Sequence, residues 1–205
     1  PAPPVPDPTL INTVFDKLGK SSGSDCACSG WINRSLGTQG ESSTASGNSV
    51  MKFDNNEPDH IYQEFEVTPN ANYQIEVEVS FKANAGKSNP ASLEFRVLAG
   101  TGYDSGYTPT YYTETTAFPQ DGYGYSSVAQ TEVEENNLMT RVLNNPDDTS
   151  YIKYILNFNS GANNSVALFA RGIGGLATGS SDNERYGYSS GDEEIRIDNL
   201  VVTAL

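Results

Sequence analysis

Apolar and polar residues alternate along this chain in short runs. In the run Tyr-Gln-Ile-Glu-Val-Glu-Val-Ser-Phe, residues 73–81, the apolar side chains Tyr73, Ile75, Val77, Val79 and Phe81 take every second place. Gln74, Glu76, Glu78 and Ser80 lie between them. Successive side chains of a strand point to opposite faces, so this period of two sends one set to a core and the other to the opposite face. Leu93, Phe95 and Val97 repeat the pattern against Glu94 and Arg96. Further strands are predicted over residues 10–15, 50–53, 61–67, 151–158, 166–171 and 194–202, each bounded by Gly, Asn, Pro or Ser clusters that mark turns. That makes eight or nine strands. The one helix-like stretch, residues 132–143, is short, acidic at its start and basic at Arg141. The fold class is all-β.

Length and composition agree with that pattern and narrow it. The 205 residues fit one β-sandwich domain, taken as residues 10–205. Residues 1–9 hold five prolines, which fix φ and donate no hydrogen bond, so this leader reads as an extended tether outside the fold, leading to a surface or another domain. Twelve Lys+Arg against 26 Asp+Glu leave a net charge of −14. Nucleic acid needs a basic face that releases counterions, and an anionic membrane surface needs the same sign, so neither is an expected partner. No apolar run approaches the roughly 18 residues of a bilayer span, so no membrane insertion is expected. Cys26 and Cys28 are the only cysteines and His60 the only histidine, too few for a zinc cage. The cysteine pair reads as a small-loop disulfide of an oxidising compartment or as two free thiols, and the composition favours export. His60 reads as a solvated turn residue.

Two segments fit no strand. Residues 21–49 are rich in Ser, Gly and Thr; residues 100–127 are rich in Tyr, Gly and Thr. Loops of this length inside a domain are functional or disordered, and the second is too aromatic for disorder. Tyr103, Tyr107, Tyr111, Tyr112, Tyr123 and Tyr125 fall within 23 residues, with Phe118 among them. A sugar ring has an apolar C–H face and a rim of hydroxyls, and a flat phenol offers both a stacking surface and a hydrogen bond. The tyrosines are thus either a recognition surface or a cover for an open sheet face. Tyr186 and Tyr188 form a second small cluster that could join them. Trp31, the only tryptophan, is a core anchor or a platform. Arg96 and Arg171 fall on the non-core phase of their strands, where guanidinium forks could grip a uronate or pair with Glu76, Glu78 or Glu94.

The order of several segments resembles a family. Leu-Ile-Asn-Thr-Val-Phe-Asp at residues 10–16, the run from His60 to Tyr73, the strand that follows, and Ile-Asp-Asn-Leu-Val-Val at residues 197–202 resemble bacterial carbohydrate-binding modules of the galactose-binding-like jelly-roll type, families 4, 9 and 22. The overall texture resembles modules that marine bacteria use on algal polysaccharides. The resemblance implies a jelly-roll β-sandwich of two antiparallel sheets and non-catalytic capture of an extracellular polysaccharide. It also implies a structural Ca²⁺ held by Asp16 and Asp198; Asp54, in Phe-Asp-Asn-Asn, is a weaker third candidate.

A monomer, exported and tethered to a surface or a larger enzyme, is expected. Alginate is placed slightly ahead of laminarin-type β-glucan because of the paired arginines. The rival classes are a β-sandwich lyase or glycosidase and a cell-surface adhesion domain. Against catalysis, there is no Gly-x-Ser-x-Gly, no His-Glu-x-x-His and no phosphate-binding glycine loop.

Overall fold

The period-two run becomes the longest uninterrupted alternation of the fold. In the computed structural model β4 spans Asn72–Phe81 with exposure alternating at every residue, its inward side chains wholly buried. The structure describes residues 3–16, 30–37, 39–45, 47–53, 59–82, 92–113, 121–173 and 194–205. Among them are nine strands: β1 Glu41–Ala45, β2 Asn48–Phe53, β3 His60–Glu66, β4, β5 Ser92–Ala99, β6 Asn137–Leu143, β7 Ile152–Asn159, β8 Ser165–Ile173 and β9 Ile195–Ala204. A five-stranded sheet runs β1-β2-β9-β4-β7 and a four-stranded sheet β3-β8-β5-β6, and all the strand pairings are antiparallel.

The inner faces meet in one core. Val77 and Val79 of β4 face Phe95 and Val97 of β5, Leu168 of β8 and Phe65 of β3, all fully buried. Truncating one of these phenylalanines to Ala would cost about 3–5 kcal/mol. Trp31 belongs to this core. It is fully buried, tilts against Phe15 at 5.3 Å, and its indole N–H donates to the Asn12 carbonyl at 2.9 Å.

Four expectations change in the structure. Residues 10–15 supply Ile11 and Phe15 to the core but form a turn rather than a strand, with the Phe15 N–H on the Asn12 carbonyl and both residues at positive φ. The helix-like stretch 132–143 is mostly β6, because pairing with β5 overrides weak helical propensity. The only α-helix among the described residues, α1 (Val128–Glu132), precedes it and is capped by the Ser127 hydroxyl. β1 lies inside the segment taken as strandless: a Ser- and Thr-rich edge strand has no apolar alternation to read, and it reaches β2 through a turn with Gly47 at φ 85°. The leader is extended, yet it lies on the sandwich. Val5 and Leu10 pack against the core, and the Asp7 carboxylate accepts the Ala204 N–H at 2.8 Å.

No helix among the described residues is long and apolar enough to cross a membrane.

Candidate functional site

The outer face of the four-stranded sheet carries Tyr62 and Glu64 from β3, Ala167, Phe169 and Arg171 from β8, and Glu94, Arg96 and Leu98 from β5. Such a face would leave several large apolar groups in water. The tyrosine segment closes it. Tyr62, Leu98, Ala167 and Phe169 form a second apolar cluster with Tyr123, Tyr125 and Leu36, flanked by Tyr103, Tyr112 and Val128. The rings meet edge to face: Tyr62 with Tyr123 at 5.2 Å, Tyr103 with Tyr107 at 5.4 Å, and Tyr103 with Tyr125 at 5.6 Å. Gly124 lies beneath Tyr103 and Tyr107, where a Cβ would collide with both rings.

Four of the phenols on this face fasten the segment. The Tyr125 hydroxyl donates to the Ala99 carbonyl at 2.8 Å, and the Tyr103 hydroxyl shares a hydrogen bond with the Ser165 hydroxyl at 2.9 Å. Glu64 ties the segment down. Its carboxylate accepts the hydroxyls of Tyr62 and Tyr107, the latter at 2.7 Å, and the Gly124 N–H at 2.8 Å. Burial raises the Glu64 pKa above the ordinary carboxylate value, a rise that these three donors oppose. Burial, with the Glu64 charge adding to it, also pushes the phenols of Tyr62, Tyr103, Tyr107, Tyr123 and Tyr125 upward, so they stay neutral at any working pH. Sequence reasoning did not single out Glu64. Its signal was its phase, two places from Tyr62 on the non-core side of β3.

The remaining two tyrosines behave differently. Tyr111 is 39% exposed and Tyr112 half-buried, its ring edge-on to Tyr123 at 6.0 Å. Together with Thr113 they form one wall of a groove of about 760 Å³. The opposite wall is the leader, from Pro6 to Ile11, and Glu66, Val67 and Thr68 at the end of β3 line it as well. A smaller hollow of about 20 Å³ shares Thr9, Ile11, Tyr111 and Tyr112 with the groove and is lined further by Gln63, Glu64 and Tyr123.

No family model matches the chain, and no curated protein does. Solved structures do. A carbohydrate-binding module of family 4 aligns over 96% of this chain and 100% of its own, with 9% identity and a TM-score of 0.50. The CBM22-1 xylan-binding domain of Paenibacillus barcinonensis Xyn10C aligns over 99% of this chain and 97% of its own, with 13% identity and a TM-score of 0.49. The K1 cleaved adhesin domain of Lys-gingipain from Porphyromonas gingivalis W83 aligns over 94% and 96%, with 12% identity and a TM-score of 0.44. The fold is the jelly roll of carbohydrate-binding modules. Identities this low establish the fold alone, and the ligand has to be read from this chain's own residues.

The residues named from sequence divide within that fold. Trp31 and Tyr125, wholly buried, present no face to a ligand. Arg96 and Arg171 do share a sheet face, but Glu94 holds them both. Its carboxylate accepts Arg171 Nε at 2.9 Å and Arg96 Nε at 2.7 Å, while Arg171 Nη2 donates to Glu132 at 3.0 Å and Arg96 Nη1 to Asn137 at 3.0 Å. Both guanidiniums are engaged within the fold by Glu94 and Glu132, so the paired arginines give no ground for placing alginate ahead of laminarin-type glucan. His60 is buried, not solvated: its Nε2 lies 3.0 Å from the Asn33 carbonyl and from the Gln39 amide.

The calcium ligands do not assemble from what is described. Asp16 is exposed. Asp198 is buried at a bulge in β9, where it accepts the Asn48 side-chain amide at 2.6 Å and the Asn199 N–H at 2.8 Å. N–H donors on both oxygens compete with a hard cation for the same lone pairs. No group of three potential ligand side chains is found among the described residues. Asp54, Phe118, Cys26, Cys28, Tyr186 and Tyr188 lie outside the described residues.

Proposed function

We propose that this chain is a non-catalytic polysaccharide-binding module whose ligand lies in the groove between the leader and the pair Tyr111 and Tyr112. The observation that carries this is the split in the tyrosine segment. Four of its rings are committed to the sheet, whereas Tyr111 and Tyr112 stand along an open groove of about 760 Å³. Pro6, Pro8 and Leu10 add apolar side chains to its lining, and Thr9, Thr68 and Thr113 add hydroxyl-bearing ones. Alternating apolar and hydroxyl groups match the two aspects of a pyranose ring. Capture of a glycan outside the cell, as a monomer carried on a surface or on a larger enzyme, belongs to the same reading.

Burial pushes the phenols of the committed tyrosines upward, away from the pH range in which a lyase's phenolate base works, so Tyr62, Tyr103 and Tyr107 are not such a base.

Native gels impregnated with laminarin, mixed-linkage β-glucan, xylan, agarose or alginate test this. The chain should be retarded by at least one polymer without releasing reducing or unsaturated ends. Tyr111→Ala should weaken retardation about fivefold, the equivalent of about 1 kcal/mol for one stacked ring, at an unchanged Tm. Tyr112→Ala should weaken it similarly with a small loss of Tm, because that ring also packs on Tyr123. Full retention by both variants would move the site elsewhere, and release of chain ends would make the protein an enzyme.

A further inference from the structure

A small hollow that shares four lining residues with the groove is also lined by a residue whose polar group the described fold leaves unpaired. Tyr123 lines it and is 6% exposed, and its hydroxyl is buried with no hydrogen-bond partner among the described residues. A buried hydroxyl left unpaired is destabilising, and native structures keep few of them without a reason. Two of the polar side chains that line the hollow are already committed. The Gln63 amide is used on Ile11 and Gly30, and Glu64 accepts from Tyr62, Tyr107 and Gly124. At about 20 Å³ the hollow holds one water or one hydroxyl group, and it is too small for a carboxylate or a sulfate.

The charge of the lining points the same way. Among the described residues, Asp7 and Glu66 are the carboxylates that line the groove, Glu64 lines the hollow, and no Lys, Arg or His lines either one. Added to a net charge of −14, this places a uronate or sulfated chain beside like charges with no cation among the described lining residues to offset them.

We infer that the groove selects an uncharged glycan, and that the Tyr123 hydroxyl is its specificity contact, hydrogen-bonded to one sugar hydroxyl let into the hollow between Tyr111 and Tyr112. This rests on the polysaccharide reading above. A site with a polar partner waiting for a hydroxyl discriminates against a sugar that lacks it, because the buried group is then left unpaired.

Tyr123→Phe removes a single oxygen and keeps the ring packed against Tyr62. The full chain and this variant are run on the same five polymers, and the thermal midpoints of both are recorded. The wild type should be retarded by a neutral polymer and not by alginate, and the variant should bind that polymer about five- to tenfold more weakly, the value of one hydrogen bond. Its Tm should be unchanged or higher, because an unpaired group has been removed. Equal binding by the variant would overturn the Tyr123 contact, as would a Tm several degrees lower, which would reveal an internal partner for the hydroxyl. Stronger retardation by alginate than by any neutral polymer would overturn the charge selection. In these cases the polysaccharide reading stands; retardation by none of the five would remove both.

Discussion

Replacing Glu94 by Gln separates a structural arginine pair from a ligand-binding one. The carboxylate is 6% exposed and serves Arg171, itself 3% exposed, and Arg96, which reaches both of its oxygens at 2.7 and 3.3 Å. Removing one partner from a buried ion pair costs about 3–5 kcal/mol, because the remaining charge is left uncompensated. Arg171 would still hold Glu132 and lie over the Phe169 ring at 5.7 Å, so the lower end, about 3 kcal/mol, is expected. In a domain of this size each kcal/mol moves the midpoint by about 2–4 °C, which gives a fall of about 6–12 °C. Arg171→Met is the informative contrast. It leaves Glu94 both of its bonds to Arg96 and frees Glu132, which is partly exposed, so a smaller loss of about 1–2 kcal/mol follows. Urea unfolding followed by tryptophan fluorescence reads both, since Trp31 is the only tryptophan and is wholly buried. If Arg171→Met costs as much as Glu94→Gln, or Glu94→Gln costs less than about 1 kcal/mol, the argument that the carboxylate organises the pair is wrong. Both variants should bind polysaccharide as the wild type does; loss of binding in folded Arg171→Met would return the arginine to the site.

Two further outcomes follow from the same face and its neighbour. Because burial raises the Glu64 pKa in the folded chain, its contribution to stability is fully present below the unfolded value of about 4.3 and is lost as pH rises through the folded one. The Tm difference between wild type and Glu64→Gln should therefore shift against the wild type as pH rises from acid to neutral, and a flat or opposite trend would refute it. A structural calcium ion at a hundred times its Kd would add about 2.7 kcal/mol, or about 5–10 °C, after prior chelation. With Asp198 already engaged by Asn48 and Asn199, no shift is expected from the described residues, and a rise of that size would mean that Asp54 or another acid completes a site.

Strands with one wet face are legible, because burial on one side and water on the other write a period of two into the sequence, as in β4 and β7. Where the environment was the same on both faces the signal vanished. β8 is buried on both sides and β1 is a polar edge, and only the first has enough apolar residues to be read as a strand. The leader misled for a related reason: proline content reports an extended backbone but not what lies against it, and only the packing of Val5 and the Asp7 bond to Ala204 reveal that it borders a groove. The arginines were assigned to the correct face, but partner choice among Glu76, Glu78 and Glu94 depends on strand order. β8 lies beside β5, which puts Arg171 directly opposite Glu94.

The tyrosine cluster admits two readings from sequence, cover or recognition surface; the structure shows cover for Tyr103, Tyr123 and Tyr125, and recognition is proposed for Tyr111 and Tyr112. A sheet face carrying Tyr62, Leu98 and Phe169 needs an apolar lid, and a lid fastened through Glu64, Ser165 and Ala99 is rigid enough to hold its tip in place. Tyr111 and Tyr112 inherit that rigidity without being consumed by it. Where Tyr111 and Tyr112 stack on a sugar as proposed, a preorganised aromatic edge loses little freedom in doing so. On that reading the covering tyrosines contribute at one remove. Loosening them at Glu64 should degrade binding even though Tyr103, Tyr107 and Tyr125 line neither the groove nor the hollow.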